Sequence, residues 1–218
     1  MRPLRWAEGV SGEEGTHIQV HEWEIGVRSV SQYAHPQFLK TCACTLCSLL
    51  TGAPALEGMV NGPFYNHYPW NMPPGEDLAK AIEHTREYMA REGPFDAVMG
   101  FSQGGALAAS LIINHAETHP DDEPLFRLAV FICSDRPYEA TGTQYITESP
   151  GTYPISIPTV NIVGKKDYIY DLSMEVYKLC EPSLAVFFDH GEDHRIPFDM
   201  ENTIGMTAAV EQGIRKAE

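Results

Sequence analysis

The sequence has no run of the roughly eighteen consecutive apolar residues that a membrane-spanning helix requires. It is also poor in basic residues, since 15 Lys and Arg stand against 30 Asp and Glu among 218 residues, a formal net charge of −15. Such a surface repels phosphate backbones and anionic membranes, so we expect neither nucleic acid nor membrane as a partner. The amino-terminal segment lacks the apolar core of a signal peptide, and we therefore expect a soluble cytoplasmic protein.

Cysteines are few, and their number is odd. Three of the five cluster at Cys42, Cys44 and Cys47, and no second cluster supplies further ligands at the spacing that a zinc site needs. Apolar side chains recur around them at helical spacing. The pattern predicts a partly buried helix over 36–50 with reduced thiols, and we expect neither a metal nor an organic cofactor.

A serine between glycines is the most informative feature that is present. Residues 100–104 read Gly-Phe-Ser-Gln-Gly, with a strand-like apolar run over 95–99 before them and a helix-like run of small residues over 105–113 after them. Strand, sharp turn and helix form the context of a nucleophile elbow, in which flanking glycines remove collisions at a strained turn. The pattern predicts that Ser102 is a nucleophile and that the backbone N–H of Gln103 stabilises the oxyanion.

The partners of such a serine follow it in the chain in the order acid, then histidine. A strand-like run over 158–163 precedes Asp167, and another over 184–188 precedes His190 and His194. Parallel strands bring the residues just past their carboxyl ends to one edge of the sheet, where ligands bind. Side chains far apart in sequence are therefore expected to converge there.

Two positions in this set have competitors. Asp171 follows Asp167 by one helical turn, and it is alternatively the cap of the next helix. His190 lies closer to the strand end, whereas His194 precedes Pro197. Spacing alone leaves both histidines open as the general base.

Strands and helices alternate along the chain. Residues 15–27 and 128–133 are predicted as strands, 76–92 as an amphipathic helix that ends at a Gly-Pro pair, and 199–217 as a final helix. Buried strands that alternate with helices indicate a mostly parallel sheet covered on both faces. Together with the elbow, this predicts an α/β-hydrolase fold in a single domain over 1–218.

Two segments rich in aromatic residues are candidates for the walls of an acyl pocket. Residues 61–75 contain too many prolines for a helix, and they form either a loop pinned to the core by its rings or one wall of the pocket. The long excursion over 134–157 is the second candidate wall. The predicted substrate-binding residues are Phe64, Tyr65, Tyr68, Trp70, Tyr138 and Tyr145.

Residues 93–113 resemble the nucleophile segment of the FSH serine hydrolases, small α/β-hydrolases abundant in fungi with a human relative, ovarian cancer-associated protein 2. Phe-Ser-Gln-Gly also occurs in acyl-protein thioesterases, but the preceding Gly-Pro-Phe-Asp favours the FSH family. The resemblance extends over about residues 60–215. Its acid and histidine motifs fall on Asp167 and on His194, which begins the family's H-x-x-P ending.

The chain departs from the family pattern in two places. Glu192 and Asp193 stand where the family has two glycines before the histidine, and they raise the basicity of His194 if they lie close to it. The family's first strand ends in a Leu-His-Gly loop that supplies one oxyanion N–H, but no His-Gly dipeptide precedes Ser102. Residues 1–60 match poorly, so we expect the first strands to be atypical or missing.

The resemblance implies a carboxylesterase or thioesterase that acts through a Ser102–His194–Asp167 triad. Its substrate would be a small-molecule or carrier-bound acyl ester or thioester, and some fungal members release acyl chains from polyketide synthases in secondary metabolite biosynthesis. The alternative is a non-catalytic protein that retains the hydrolase fold, has lost the oxyanion hole and binds an acyl or polyketide ligand in its aromatic pocket.

Overall fold

The computed structural model describes residues 5–12, 15–22, 42–46, 66–69 and 72–218. The first three ranges are strands described by their backbone. One seven-stranded sheet runs through the described residues, in the order β2-β1-β3-β4-β5-β6-β7. The strands are β1 Arg5–Gly12, β2 Gly15–Glu22, β3 Cys42–Leu46, β4 Ala97–Phe101, β5 Leu128–Ile132, β6 Thr159–Val163 and β7 Ala185–Asp189. The helices are α1 Glu76–Glu92, α2 Gln103–Thr118, α3 Tyr170–Leu179 and α4 Met200–Ala217.

Strands β1 and β2 pair antiparallel, whereas every other neighbouring pair in the sheet is parallel. All residues of β5 and β6 are buried, which is typical of parallel strands covered on both faces. Side chains from α1, α2 and α3 join Val98 and Phe131 on one face of the sheet. Side chains from α4 join Phe101 and Val130 on the other. The predicted α/β-hydrolase architecture is therefore confirmed.

Helix α1 has the bounds that its apolar spacing predicts. Leu78, Ile82 and Tyr88 are its buried residues, and it ends where the N–H of Gly93 donates to the Met89 carbonyl at 2.8 Å. The final helix α4 begins one residue after Asp199, whose side chain caps it by accepting from the N–H of Asn202. Among the described residues, no helix has both the length and the apolar character to cross a membrane.

The helix predicted over 36–50 is wrong at Cys42–Leu46, because these residues form β3. The strand pairs with β4 from Cys42 opposite Ala97 to Leu46 opposite Phe101. A short apolar run fits helical and extended spacing equally well, and pairing with neighbouring strands decides between them. The choice between a metal site and free thiols at Cys42, Cys44 and Cys47 falls on side chains outside the described part of the chain.

The amino-terminal third contributes more to the sheet than the sequence predicts. The strand expected over 15–27 is β2, which ends at Glu22; β1 pairs with it, and β3 pairs with β1. A second correction concerns Asp171, the alternative cap of the helix after Asp167. The N-cap position of α3 is Ile169, which makes no side-chain capping bond, so Asp171 lies inside the first turn and does not cap the helix.

Candidate active site

Ser102 lies at the turn between β4 and α2 in a strained backbone conformation, with φ 54° and ψ −121°. Its N–H donates to the Ile132 carbonyl at 3.0 Å, which ties the turn to β5. A Cβ atom added to Gly100 would lie 2.4 Å from the Gly104 carbonyl oxygen, so the glycines allow the turn to close. The local geometry is therefore that of a nucleophile elbow.

His194 lies between Ser102 and Asp167. Its Nε2 is 3.0 Å from the Ser102 hydroxyl oxygen, and its Nδ1 is 2.8 Å from Asp167 Oδ2. Because an ionised carboxylate is only an acceptor, Nδ1 carries the proton and Nε2 is left to accept one from the serine. The structure thus brings the three residues predicted as catalytic into one hydrogen-bonded chain.

Asp167 is held as an ionised carboxylate inside the protein. Burial by itself raises the pKa of this group, but hydrogen bonds from His194 and from the Ile169 N–H outweigh it, and the pKa lies below its ordinary value. The Ile169 N–H donates to Oδ1 at 2.9 Å, which leaves Oδ2 facing His194. The carboxylate is thereby fixed in position and in charge.

The loops that carry the acid and the histidine are joined to each other. The Asp189 carboxylate, at the end of β7, accepts from the backbone N–H of Lys165 at 3.0 Å and of Gly191 at 2.8 Å. The N–H of Lys166 also donates to the Glu192 carbonyl. These bonds set the distance between Asp167 and His194.

His190, the other candidate base, is buried away from Ser102. Its Nε2 lies 3.4 Å from the sulfur of Cys133, and its Nδ1 accepts from the Glu192 N–H at 3.2 Å. Spacing in the sequence could not separate the two histidines, because both follow the same strand. The loop geometry places His194, and not His190, against the serine.

Ligand atoms of Cys133, Asp167 and His194 lie within 4.8 Å of one another, close enough together to face a common metal ion. Metals bind thiolate, but burial, followed by the charge of Asp167, raises the pKa of the Cys133 thiol well above its usual range. Asp167 and His194 also already bond each other. The donor chemistry fits a proton-transfer chain better than a metal.

Two aromatic rings flank the His194 imidazole, and neither was predicted from the sequence as a site residue. The ring of Phe101 lies 4.8 Å from it and the ring of Tyr168 lies 5.0 Å from it, measured between centroids. Tyr168 is 66% exposed, so it borders the site on the solvent side. The sequence signal that could have identified Tyr168 is its position directly after the predicted acid, Asp167.

The two carboxylates that replace the family's glycines do not bond His194. The Asp193 carboxylate binds the guanidinium of Arg195, and Glu192 lies 3.5 Å from the ammonium of Lys166. All four side chains are largely exposed. Their charges are therefore paired with cations at the surface and screened by solvent.

Gln103 connects the elbow to the proline-rich segment. Its buried side chain accepts from the N–H of His67 at 3.0 Å and donates to the Tyr68 carbonyl at 3.1 Å. Its backbone N–H lies in the first turn of α2, where the helix dipole favours negative charge. A second oxyanion donor is expected in the loop that follows β3, because the end of this strand at Leu46 pairs with Phe101, next to Ser102. That loop lies outside the described residues.

The predicted pocket residues divide into two groups. Tyr68 and Tyr138 are 6% exposed and belong to the core on the α2 face, with ring centroids 6.3 Å apart. Tyr145 packs 4.3 Å from Tyr138, and the guanidinium of Arg136 lies over its ring. Their role in substrate binding stays a prediction. The remaining three candidates lie outside the described residues: Phe64, Tyr65 and Trp70.

The family model described as "Serine hydrolase (FSH1)" matches residues 59–205, about two thirds of the chain. The chain belongs to this family. Ser102, Asp167 and His194 all fall within the matched segment. The membership confirms the resemblance drawn from the elbow and from the two later motifs.

Several fungal hydrolases and esterases are similar to this chain. "Esterase FPY3" of Fusarium mangiferae is 39% identical over 149 residues, covering 65% of this chain and 67% of that protein. "Hydrolase phiM" of Talaromyces stipitatus is 32% identical over 162 residues, covering 65% and 61%. The chain thus spans about two thirds or less of the length of these relatives. A carboxylesterase structure from Mesorhizobium loti is 16% identical, covers 77% of this chain and 88% of that chain, and has a TM-score of 0.48.

Proposed function

We propose that this chain hydrolyses an ester or thioester through an acyl-enzyme formed on Ser102. The observation that carries the proposal is the continuous chain of contacts from the Ser102 hydroxyl to His194 at 3.0 Å and on to Asp167 at 2.8 Å. A serine hydroxyl is a weak nucleophile without a base, and an imidazole base needs an acceptor on its other nitrogen. Both requirements are met at this elbow.

The reaction has two halves. His194 Nε2 takes the proton of Ser102 as its oxygen attacks the acyl carbonyl, and it returns that proton to the leaving alcohol or thiol. Water then attacks the acyl-enzyme with His194 again as base, which releases the acid and restores Ser102. Asp167 stabilises the imidazolium in both halves, and the N–H of Gln103 donates to the oxyanion.

The substrate class follows from the surroundings of the serine. The exposed aromatic ring of Tyr168 lies beside His194, which supports an apolar acyl group at this site. The net charge of −15 disfavours strongly anionic substrates. We therefore propose that the substrate is a small-molecule or carrier-bound acyl ester or thioester. More specifically, we propose that this substrate belongs to secondary metabolism.

The test is the intact mass of the protein after exposure to a fluorophosphonate probe, which labels activated serines. The native chain should gain one adduct rapidly, and Ser102→Ala and His194→Ala should gain none. Ser134→Ala is the matched control, because Ser134 is a buried serine at the same sheet edge that bonds the Asp135 carbonyl. It should be labelled like the native chain.

Labelling is followed by hydrolysis of p-nitrophenyl esters and of N-acetylcysteamine thioesters with acyl chains of graded length. Removal of a triad member should lower kcat by roughly 10⁴- to 10⁶-fold. A folded native chain that gains no adduct and hydrolyses none of these substrates would overturn the proposal. Tight binding of an acyl ligand by that inactive chain would favour the non-catalytic alternative.

A further inference from the structure

Tyr168 is an exposed aromatic residue that contacts the candidate active site. Its side chain is 66% exposed, and its ring centroid lies 5.0 Å from that of the His194 imidazole. Isolated apolar side chains are common on protein surfaces and need no function. Tyr168 differs from such residues because its ring packs on the group that moves the proton in the reaction proposed above.

The turn that follows β6 holds this ring in place. The neighbours of Tyr168 in the chain, Asp167 and Ile169, are both buried, and the Ile169 N–H donates to Asp167 Oδ1 at 2.9 Å. The Asp167 N–H donates to the Gly164 carbonyl at 2.9 Å, and the Asp167 carbonyl accepts from the Tyr170 N–H at 3.1 Å. The turn that fixes the acid therefore also fixes the backbone of Tyr168.

The imidazole of His194 is reached from solvent on the side of Tyr168. Its Nδ1 is 2.8 Å from Asp167, its Nε2 is 3.0 Å from the Ser102 oxygen, and the Phe101 ring lies 4.8 Å from it. Those three neighbours are buried, whereas Tyr168 is exposed. We therefore expect a substrate group that approaches Nε2 from solvent to contact the Tyr168 ring.

Proton transfer determines which half of the substrate reaches Nε2. In the tetrahedral intermediate the acyl carbon carries the Ser102 oxygen, the oxyanion, the acyl chain and the leaving group. The oxyanion faces the Gln103 N–H. The proton taken from Ser102 is on Nε2 of His194, and it passes to the leaving oxygen or sulfur as the bond to the acyl carbon breaks. The leaving atom therefore lies within about 3 Å of Nε2.

The two halves of the reaction differ in what lies against His194. In the first half this is the leaving group, which departs as a neutral alcohol or thiol while the acyl group stays on Ser102 as an ester. In the second half water takes its place. An apolar ring beside the site favours an apolar substrate, and this geometry assigns the contact with Tyr168 to the alcohol or thiol half.

The chemistry around the ring favours a neutral and apolar leaving group. Aromatic rings pair with one another in offset or edge-to-face geometry and also bury alkyl groups. The cations of the neighbouring loops already have carboxylate partners, Lys166 with Glu192 and Arg195 with Asp193. Since the net charge is also −15, a leaving group that carries phosphates, such as a nucleotide-linked thiol, is disfavoured.

We propose that Tyr168 is a specificity-determining residue that contacts the leaving group and selects a neutral alcohol or thiol with an apolar, above all aromatic, body. The inference rests on the proposed function, because a leaving group exists only if Ser102 forms an acyl-enzyme. Tyr168 has no part in the hydrolysis of that acyl-enzyme, since the leaving group has departed before water attacks.

The test compares the benzyl and methyl esters of one acid, whose alcohols are similar in acidity but differ in apolar surface. Tyr168→Ala should lower kcat/KM about tenfold for the benzyl ester and less than about twofold for the methyl ester. Tyr168→Phe keeps the ring and should stay within about twofold of the native chain for both. The matched control is Phe187→Ala, which removes a 39% exposed ring that lies on β7 and packs on Tyr177. It should keep the native kcat/KM for both esters.

Burst kinetics with the p-nitrophenyl ester of the same acid separate the two halves of the reaction. The burst measures formation of the acyl-enzyme, and the steady phase measures its hydrolysis. Tyr168→Ala should slow the burst and leave the rate constant of hydrolysis unchanged. A residue that acted only by supporting His194 would slow both phases, because His194 is the base in both.

Four results would overturn the proposal: equal losses for the benzyl and methyl esters, a loss that follows the length of the acyl chain, slower hydrolysis of the acyl-enzyme, or native kcat/KM in Tyr168→Ala. If the native chain is labelled at Ser102 and active, any of these results rejects the role of Tyr168 and leaves the proposed function intact. A native chain that gains no probe adduct and hydrolyses no ester rejects the proposed function, and this inference with it.

Discussion

At the scale of single residues, Asp167 combines burial with a retained negative charge. Its pKa lies below the ordinary value of 3.8 because hydrogen bonds from His194 and Ile169 outweigh the effect of burial. The ionised form therefore contributes to the free energy of unfolding at neutral pH. This contribution is complete above about pH 4 and is lost as the pH falls through the lowered pKa of the folded state.

The substitution Asp167→Asn tests the role of this charge with little change in shape. An asparagine that turns its amide N–H towards Nδ1 of His194 favours the tautomer with the proton on Nε2, which cannot accept from Ser102, so kcat should fall about 10⁴-fold. The measurement is ester hydrolysis at pH 7 to 8. Asp171→Asn, an exposed carboxyl in the first turn of α3, is the control. Equal activity of the two variants would contradict the assignment of Asp167.

His67 gives the fold a measurable dependence on pH. Burial, followed by the charge of His84, lowers its pKa to about 4, while the unfolded chain has the ordinary value of 6.5. Since the unfolded state binds more protons between these values, stability is complete above pH 6.5 and falls towards pH 4. The loss from this group should reach about 2 kcal/mol by pH 5.

Urea unfolding at pH 7 and at pH 5 measures this effect. His67→Gln has no proton to bind, so the difference in unfolding free energy between the two pH values should shrink. His119→Gln, at an exposed histidine that stacks on His115, should leave the native difference unchanged. If the difference in unfolding free energy between pH 7 and pH 5 is as large in His67→Gln as in the native chain, another group causes it.

At the scale of elements, the carboxyl ends of β4, β5, β6 and β7 form one edge of the sheet. Ser102 follows β4, Cys133 follows β5, Asp167 follows β6, and His190 and His194 follow β7. Parallel pairing in this order places the acid between the strands that lead to the cysteine and to the two histidines. The site is thus built from residues that are distant in sequence but adjacent at the edge.

The side chain of Gln103 joins two elements at this edge, so its removal should be costly. Gln103→Leu leaves the His67 N–H and the Tyr68 carbonyl without their present bonds, and each buried group loses about 1–3 kcal/mol. We expect urea unfolding to show a stability lower by roughly 2–4 kcal/mol. Fluorophosphonate labelling should persist, because the Gln103 backbone N–H is retained.

Gln144→Leu provides the comparison for this prediction, since Gln144 is an exposed residue of the loop between β5 and β6. Its unfolding free energy should stay within about 0.5 kcal/mol of the native value. A Gln103→Leu variant of native stability would mean that the segment over 66–69 is held by contacts other than this amide.

At the scale of the whole molecule, the charge of −15 dominates the electrostatics. Like charges repel in the compact state, and salt screens that repulsion. The exposed ion pairs that salt weakens contribute little. Folding is therefore expected to be stabilised as ionic strength rises.

Thermal unfolding in about 0.02 M and about 0.5 M salt measures whether the repulsion between like charges outweighs the exposed ion pairs. An increase of about 1 kcal/mol in stability corresponds to a Tm higher by roughly 2–4 °C for a chain of this size. Equal increases with NaCl and KCl would assign the effect to screening instead of to a bound ion. A Tm that falls with salt would show that attractive pairs outweigh the net repulsion.

Much of the fold was predictable because local rules agreed with the tertiary structure. Helix α1 has an apolar stripe and a Gly-Pro end, and β5 and β6 are apolar runs between turn formers, so their positions followed from periodicity. The segment Cys42–Leu46 could not be assigned in this way. Five residues carry too little periodic signal, and pairing with β4 on one side and β1 on the other makes them a strand.

The sequence by itself determined the elbow. An apolar strand, a serine between glycines and a helix of small residues follow one another, and the glycines allow the strained turn at Ser102. It also limited the acid and the base to a few residues after two later strands. The tertiary structure decided that His194 contacts Ser102 while His190 contacts Cys133. That choice depends on bonds between neighbouring loops, such as those made by the Asp189 carboxylate, and strand order alone does not encode them.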